Sequence, residues 1–288
     1  GKRDHEIYMV VPEGIDVPPG LQNPVVRLQR SLYGLKQAGR QWYIEYGKSR
    51  RNAGLETHII NPQLFYASTT HGDLITATWV DDTTLAGDRA AVQHHKATIS
   101  TDFSIKDLGQ ISKCIGIQVT RFTEGLFIHQ RTLIDDFLAK CKVSGSRHTR
   151  TPLQPRNSTV PEKDIYGPPR EGEAILEDLS LYRRVIGTLQ WLASSTRPDL
   201  AFSVSLMARY NHCATKRHWK GLVHILRYLD NTRDLGILYP ADPTLKLEVF
   251  ADAGYLSDRV NGRSQTGFVL TINGAAFDWK SRKQGLTA

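Results

Sequence analysis

A short apolar run extends from Leu74 to Val80, which is long enough for a buried strand and too short for a helix. Two acids follow it, Asp81 and Asp82, and Thr83 to Ala86 can return antiparallel to the first strand. We therefore predict a tight β-hairpin in which Asp81 and Asp82 form the two-residue connection and present two carboxylates at the tip.

The segment after this hairpin alternates between helical and extended patterns. Asp88 is a candidate N-cap for a helix that runs to about Ser100, and Lys113 to Arg121 is typical of a strand. Thr132 is a candidate N-cap for a further helix with one apolar face. The residues of that face are Leu133, Ile134, Phe137, Leu138 and Cys141. Such a stripe predicts packing against a core.

Prolines and glycines interrupt the pattern from Ser144 to about Asp178, so a linker is predicted there. Three helical patterns follow it and predict a small helical module. They run from Leu181 to Ala193, from Leu200 to Tyr210 and from His218 to Leu229. Three extended segments then predict a meander of about three strands. They are 245–249, 268–272 and 275–279, the last two joined by Asn273 and Gly274.

The charge of the chain favours a polyanionic partner. Its 288 residues carry a formal net charge of +8 with a pI near 9.4, which suits nucleic acid or an anionic membrane surface, and nucleic acid is the simpler partner. The segment from Arg27 to Arg51 contains seven Lys or Arg residues and one acid. The segment from Lys140 to Arg156 contains five Lys or Arg residues and no acid. A merely solvated basic face remains the alternative.

The cysteine content and the hydropathy of the chain indicate the cellular compartment in which we expect it. The three cysteines, Cys114, Cys141 and Cys213, lie far apart, so neither a disulfide framework nor a zinc ribbon is predicted. We expect a soluble intracellular chain, cytoplasmic or nuclear, with no membrane partner, because no apolar run approaches the roughly 20 residues that span a bilayer and no signal peptide is present. The chain starts without Met and ends at Ala288 without a closing element, so we expect a fragment of a longer reading frame.

The paired acids suit a specific chemistry. Nucleotidyl transfer uses carboxylates that hold two metal ions roughly 3.5–4 Å apart. Asp81 and Asp82 are hard oxygen ligands of the kind that Mg2+ prefers, and a hairpin tip can present them rigidly. Because turns favour Asp in general, a solvated turn is the competing interpretation of these two residues alone.

Longer motifs favour the chemical interpretation. The sequence Trp79-Val80-Asp81-Asp82 resembles the Tyr-Val-Asp-Asp hairpin of copia-type retrotransposon reverse transcriptases, and 31–43, Ser-Leu-Tyr-Gly-Leu-Lys-Gln-Ala-Gly-Arg-Gln-Trp-Tyr, resembles the helix-opening signature upstream of that hairpin. Further matches extend the resemblance over nearly the whole chain, at 7–9 with 12–14, at 103–109 with 115–117, and at 182–187, 196–199 and 225–229.

The resemblance implies site residues in two places. Nucleotide and template would contact Gly34, Lys36, Gln37, Arg40 and Trp79, with exposed helix residues as the alternative for the charged ones. The primer strand would be gripped by Ile115, Gly116 and Ile117, with core strand packing as the alternative. The implied cofactor is Mg2+ at a two-metal site on Asp81 and Asp82. The implied partners are an RNA template, a DNA primer and an RNA–DNA hybrid, and the oligomeric state stays open.

The C-terminal segment resembles the start of a ribonuclease H domain. The sequence Phe250-Ala251-Asp252-Ala253 is similar to the strand that carries the first catalytic carboxylate of that domain, so the resemblance implies that Asp252 is a catalytic metal ligand. A plain residue at a strand end is the competing interpretation. The glutamate and later aspartate that complete the ribonuclease H site would lie beyond Ala288.

The chain departs from the family pattern in ways that predict inactivity. The family's third polymerase carboxylate would lie on a strand before Gly1, so the metal site is expected to be incomplete and Leu74 to Val80 to lack a strand partner. Trp79 replaces a tyrosine and Gly39 replaces a proline of the family motifs. A non-catalytic nucleic-acid-binding remnant and a pseudogene product without function are therefore the alternatives to a polymerase fragment.

Together these inferences predict an α+β fold: a partial reverse transcriptase palm, a helical connection module and a truncated ribonuclease H-like β-sheet. The predicted domains are 1–143 for the palm and the start of the thumb, 144–179 for the linker, 180–240 for the helical connection and 241–288 for the ribonuclease H segment.

Overall fold

The computed structural model describes residues 6–29, 31–143, 149–154, 166–258 and 262–287. The chain forms two compact units, Gly1–Gln110 and Ile111–Ala288. Each contains helices and antiparallel sheets, which agrees with the predicted mixture of α and β structure. The boundaries of the palm, linker, connection and ribonuclease H segments stay predictions. No helix among the described residues has both the length and the apolar content to cross a bilayer.

The first unit is built around a four-stranded antiparallel sheet. Its strands lie in the order β3 (Glu56–Thr57), β4 (Leu64–Thr69), β5 (Gly72–Trp79) and β6 (Asp82–Gly87). The other elements are the paired strands β1 (Tyr8–Val10) and β2 (Val25–Arg27) and the helices α1 (Ala38–Asn52) and α2 (Arg89–Asp102). Since β5 pairs with β4 on one side and β6 on the other, the expectation that Leu74 to Val80 lacks a partner is wrong.

Alternation along β5 gives this sheet one packed face and one open face. Leu74, Thr76 and Thr78 are buried, whereas the residues between them are exposed. The buried side packs with Phe65 of β4 and with Tyr46 of α1, whose rings meet edge to face at 5.8 Å. The helices therefore cover one side of the sheet and leave the other side open.

A buried arginine ties α1 to α2. The side chain of Arg50 is fully buried, and its guanidinium lies 3.3 Å from Nε2 of His95 and 3.5 Å from a carboxylate oxygen of Asp102. Burial, reinforced by the charge of Arg50, lowers the pKa of His95 to about 4. The neutral ring can then accept a hydrogen bond from the guanidinium, which a charged ring could not do.

The predicted N-cap position is confirmed for α2 and wrong for the helix that begins at Arg131. Asp88 does occupy the N-cap position of α2, but its carboxylate accepts a hydrogen bond at 2.8 Å from the amide of Asp73 and makes no capping bond. Helix α3 (Arg131–Cys141) begins after Gln130, so Thr132 lies inside the first turn and is not the N-cap. Its amide is satisfied at 2.8 Å by Oε1 of Gln118.

The second unit contains two antiparallel sheets and a helical core. One sheet has the order β7 (Lys113–Cys114), β8 (Ile117–Phe122), β9 (Gly125–His129) and β10 (Ile237–Pro240). The predicted helical patterns form α4 (Leu179–Ser195), a 3-10 turn at Pro198–Leu200 with α5 (Ala201–Ala208), and α6 (Lys216–Asn231). The predicted meander forms β11 (Leu247–Asp258), β12 (Arg263–Ile272) and β13 (Ala275–Thr287).

The helices of the second unit share a dense apolar core. Leu189 of α4, Met207 of α5 and Leu222 of α6 are fully buried in it, together with Ile134 of α3. The meander is fixed to the helices through Trp279, whose indole donates a hydrogen bond at 2.6 Å to the carbonyl of Ala193. Burial of large aliphatic side chains, each worth roughly 1.5–3 kcal/mol, accounts for the cohesion of this unit.

The described ends of the predicted linker pack against this core. Tyr166 is fully buried; its hydroxyl accepts from the amide of Gln154 at 2.8 Å, and its carbonyl accepts from the hydroxyl of Tyr210 at 2.6 Å. Residues 144–148 and 155–165, which include Pro155 and Pro161, lie outside the described residues. The prolines predicted the irregular backbone of these described ends. The hydrogen bonds of Tyr166 and Tyr210 anchor them.

Candidate active site at the tip of the β5–β6 hairpin

The hairpin turn is shifted by one residue from its predicted position. Trp79 pairs with Asp82 in the antiparallel register, so the two connecting residues are Val80 and Asp81 rather than Asp81 and Asp82. Val80 has a φ of +58°, which the first central residue of a II′-type hairpin turn requires. A β-branched residue is strained in that region. Backbone strain of this kind is concentrated at functional sites.

The register places the two acids differently. Asp82 is the first residue of β6 and shares its side of the sheet with its cross-strand partner Trp79, because paired residues project to the same face. That side is the open one, since Thr76 and Thr78 of β5 point the other way. Asp81 lies at the turn itself. Both acids and the Trp79 indole, which is 62% exposed, are accessible to solvent.

Two aromatic residues of the helix-opening motif bind the turn. The hydroxyl of Tyr33 donates a hydrogen bond at 3.1 Å to Oδ2 of Asp81, and this bond to the carboxylate raises the pKa of Tyr33. The indole Nε1 of Trp42, on α1, donates to the carbonyl of Val80. Neither residue was among the predicted site residues. Their presence in the motif at 31–43 was the available signal, but their partners lie about forty residues away and follow only from the fold.

Two of the residues predicted to contact nucleotide or template, Gly34 and Gln37, lie between Tyr33 and Trp42 in the sequence. Gly34 has a φ of +91° in a β-turn closed by the amide of Leu35 and the carbonyl of Leu32. No atom lies within 4 Å of a Cβ built on Gly34, so its turn conformation, rather than a close neighbour, requires glycine. Gln37 occupies the N-cap position of α1 without a side-chain capping bond.

Exposed cations continue from this turn along α1. Lys36 precedes the helix, and Arg40, Lys48 and Arg51 follow at spacings that repeat on one helical side, with all four exposed. We call these four residues the basic stripe. Such a row of solvated cations provides positive potential along this side of the first unit.

The predicted primer grip forms a turn rather than part of a strand. Ile115 and Gly116 have φ values of +49° and +79° and connect β7 to β8, so the predicted single strand from Lys113 to Arg121 is wrong. Ile115 is 45% exposed, which argues against core packing as its role. Ile117 begins β8 opposite Cys114. The role in primer binding stays a prediction.

The predicted ribonuclease H carboxylate lies on β11 of the second unit. Asp252 is exposed and pairs in register with Gly267 of β12. It differs from Asp258 on the same strand, which is buried and ion-paired with Arg209 at 3.2 Å and Lys283 at 2.8 Å. Asp258 is therefore structural, whereas the catalytic role of Asp252 stays a prediction.

The donor chemistry at the hairpin suits a divalent cation in kind. Asp81 and Asp82 offer hard carboxylate oxygens, which Mg2+ prefers, and neither forms an ion pair with a described residue. Within the described ranges, however, no group of three or more acidic, histidine or cysteine side chains is arranged to hold a metal ion. The role of Asp81 and Asp82 as metal ligands therefore stays a prediction.

Comparison with known proteins agrees with the motifs. A family model described as reverse transcriptase (RNA-dependent DNA polymerase) matches residues 1–155. The chain is 31% identical over 285 residues to the retrovirus-related Pol polyprotein from transposon RE2 of Arabidopsis thaliana, covering 99% of this chain and 19% of that protein. No solved structure matches the chain.

Relatives from other organisms extend the match. The Pol polyprotein from transposon TNT 1-94 of Nicotiana tabacum is 30% identical over 293 residues, with 100% of this chain and 22% of that protein covered. The Transposon Ty1-MR1 Gag-Pol polyprotein of Saccharomyces cerevisiae is 24% identical over 308 residues, with 98% of this chain and 17% of that protein covered. The chain thus spans about a fifth of the length of these relatives. Because the family model covers more than half of it, the chain belongs to the reverse transcriptase (RNA-dependent DNA polymerase) family of copia-type retrotransposons.

Proposed function

We propose that this chain is part of an RNA-directed DNA polymerase and that Asp81 and Asp82 hold the magnesium at its active site. The observation that carries the proposal is the location of both carboxylates at a strained hairpin tip, at the edge of the open face of a helix-backed sheet. Magnesium bound there would activate the primer hydroxyl and stabilise the charge of the nucleotide triphosphate. The protein would hold these groups in place.

The other motif residues have distinct proposed roles. Lys36 and Arg40 would contact phosphate, Gln37 would hydrogen-bond the template or the sugar, and the Trp79 indole would support the nucleotide sugar. Gly34 gives the motif its turn. In the second unit, Ile115, Gly116 and Ile117 would contact the primer strand, and Asp252 would ligate a metal ion of a ribonuclease H site.

We further propose that the 288-residue polypeptide does not catalyse DNA synthesis by itself. Two-metal transfer needs more carboxylate ligands than the pair at the hairpin supplies, and the described residues provide no third acid in a metal-binding group with them. Primer extension with Mg2+ on an RNA template tests this proposal. Incorporation that is abolished by Asp81→Asn would contradict the proposed inactivity and support the metal role. No incorporation above a no-protein control is the expected result.

A second candidate function is non-catalytic binding of nucleic acid. The basic stripe favours it, since the exposed Lys36 before α1 and the three exposed cations along α1 can bind a phosphate backbone without any metal. Affinity for an RNA–DNA hybrid should then fall steeply with salt, because bound phosphates release counterions. Replacing Arg40 and Lys48 by Gln should reduce the salt slope by about one for each phosphate that the protein no longer neutralises.

Binding of a primer–template separates the two candidates. If the polymerase proposal is correct, the matching nucleoside triphosphate with Mg2+ tightens binding of an RNA–DNA primer–template, and Asp81→Asn removes this effect. If the chain only binds nucleic acid, the nucleotide has no effect and Asp81→Asn binds like the wild type. Fluorescence anisotropy with a mismatched triphosphate as the control measures the difference.

A further inference from the structure

We propose that Tyr33 is a positioning residue for the metal-binding carboxylate of Asp81, an inference that rests on the proposed function. The hydroxyl of Tyr33 donates its hydrogen bond to Oδ2 of Asp81 at 3.1 Å. A carboxylate held through one oxygen has lost much of its rotational freedom, and its other oxygen stays available to a cation.

The exposure of Tyr33 argues against a packing role. Its side chain is 85% exposed, and it belongs to neither apolar core of the described residues. A tyrosine in that position gains little from burial. Its specific interaction is the bond to Asp81, 48 residues away in sequence.

The backbone before α1 is shaped to present this side chain. Tyr33 and Gly34 are the central residues of the turn from Leu32 to Leu35, whose amide-to-carbonyl bond measures 3.4 Å. A turn with a φ of +91° at its third residue strongly favours glycine there. Gly34 therefore fixes the direction in which Tyr33 projects, which links the motif glycine to the geometry of Asp81.

The chain contains a matched control for this bond. Tyr66 of β4, in the same unit, is also exposed and donates at 3.0 Å to a carboxylate oxygen of Glu56. Tyr66→Phe removes the same kind of hydrogen bond from an acid with no proposed metal role. This variant therefore measures how the loss of an exposed tyrosine hydroxyl away from Asp81 changes Mn2+ binding.

The test is a titration of the 288-residue chain with Mn2+, in which electron paramagnetic resonance measures the free ion. Tyr33→Phe should raise the dissociation constant for Mn2+ roughly three- to tenfold. Without the Tyr33 hydroxyl, the Asp81 side chain is free to rotate, and its ordering then costs free energy when the ion binds. Tyr66→Phe should leave it within about twofold of wild type by the same reasoning, because the Asp81 side chain stays ordered. Gly34→Ala, which keeps the hydroxyl but strains the turn, should weaken Mn2+ binding as well.

The outcomes separate this inference from the proposed function. If Asp81→Asn weakens Mn2+ binding but Tyr33→Phe does not, the positioning role is wrong and the metal site stands. If Asp81→Asn and Asp82→Asn both bind Mn2+ like the wild type, the metal site and the positioning role both fail. Unchanged thermal unfolding of the Tyr33→Phe protein is required, since a general loss of folding would lower binding for a different reason.

Discussion

The indole of Trp42 donates a hydrogen bond to the main-chain carbonyl of Val80, so helix α1 holds the turn that carries Asp81. Val80 is the strained residue of that turn, with a φ of +58°. A β-branched residue in the left-handed region is disfavoured by sterics, and the bond to Trp42 contributes to keeping it there. The hairpin tip is thus fixed from outside as well as by its own strands.

Replacing Val80 by glycine should stabilise the first unit by up to about 1.5 kcal/mol. Relief of the left-handed conformation gains about 1–2 kcal/mol, and the greater entropy of glycine in the unfolded chain offsets about 0.5–1 kcal/mol of it. Val25→Gly, at an exposed position of β2, is the control and should lose stability. Urea unfolding of each variant measures the change. A loss of stability in Val80→Gly as large as that in Val25→Gly would contradict the strain at the turn.

Much of this hairpin was predictable from the sequence, but its register was not. The apolar run predicted β5, and the two acids predicted a tip between strands. The choice of Val80 and Asp81 as the connecting residues depends on the pairing of Trp79 with Asp82. Asp is common in turns, so the local pattern predicted that both acids lie in the connection. The pattern contains no information on cross-strand register, which is why the predicted turn was shifted by one residue.

The motif residue Arg197 has a structural role in the second unit. Its buried guanidinium forms two hydrogen bonds with the Asp199 carboxylate, at 3.0 and 2.7 Å, and donates at 3.0 Å to the carbonyl of Thr232 after α6. This arrangement joins the turn after α4 to the end of α6. Arg197 and Asp199, two residues of the motif at 196–199, therefore have a role in the packing of this unit.

Arg197→Lys should destabilise the second unit by about 2–3 kcal/mol, because a lysine cannot reproduce the forked contacts and leaves buried acceptors unsatisfied. Arg184→Lys, at an exposed position of α4, is the matched control and should be nearly neutral. Chemical unfolding followed by circular dichroism measures both. Equal stabilities of the two variants would contradict the structural role of Arg197.

The stability of the first unit should depend on pH through His95. Burial, with the nearby charge of Arg50, lowers its pKa from 6.5 to about 4, so the unfolded chain binds a proton between these values that the folded chain does not. The free energy of unfolding should therefore be highest above pH 6.5 and should fall as the pH drops towards 4. Hydrogen exchange of α1 and α2 peptides measures this dependence.

His95→Gln should flatten that dependence, because glutamine stays neutral and its carbonyl can still accept from Arg50. His94→Gln, at the exposed neighbouring position, should leave the slope between pH 6.5 and 4 in place. If the His95→Gln protein retains the full slope, another group is responsible for it.

Glu173 should anchor the segment before α4 in a pH-dependent way. Arg217 donates hydrogen bonds to both of its carboxylate oxygens, at 3.2 and 2.9 Å, and lowers the pKa of Glu173 from 4.5 to about 2. This contribution is complete above pH 4.5 and is lost as the pH falls through 2. Glu173→Gln should speed hydrogen exchange in residues 166–176 at neutral pH, whereas Glu177→Gln, an exposed control, should not. Equal exchange in both variants would contradict the anchoring role.

The anchoring of this segment shows a further limit of sequence reasoning. The described residues 149–154 and 166–178 have the irregular backbone that the prolines predicted, but nothing local indicated that Tyr166 would be fully buried. Its burial depends on the hydrogen bond from Tyr210 and on Gly221 of α6. A Cβ at Gly221 would lie 3.2 Å from the Tyr166 ring, so a larger residue would crowd it. Tertiary packing of this kind carries no periodic signature.

The most direct test of the metal role uses Fe2+ in place of Mg2+ in the folded chain, with ascorbate and peroxide to generate hydroxyl radicals at the bound ion. We expect backbone cleavage at 79–84, suppressed by excess Mg2+ and abolished by Asp81→Asn together with Asp82→Asn. Cleavage absent from 79–84, or unaffected by those substitutions, would contradict a cation held by the two hairpin carboxylates.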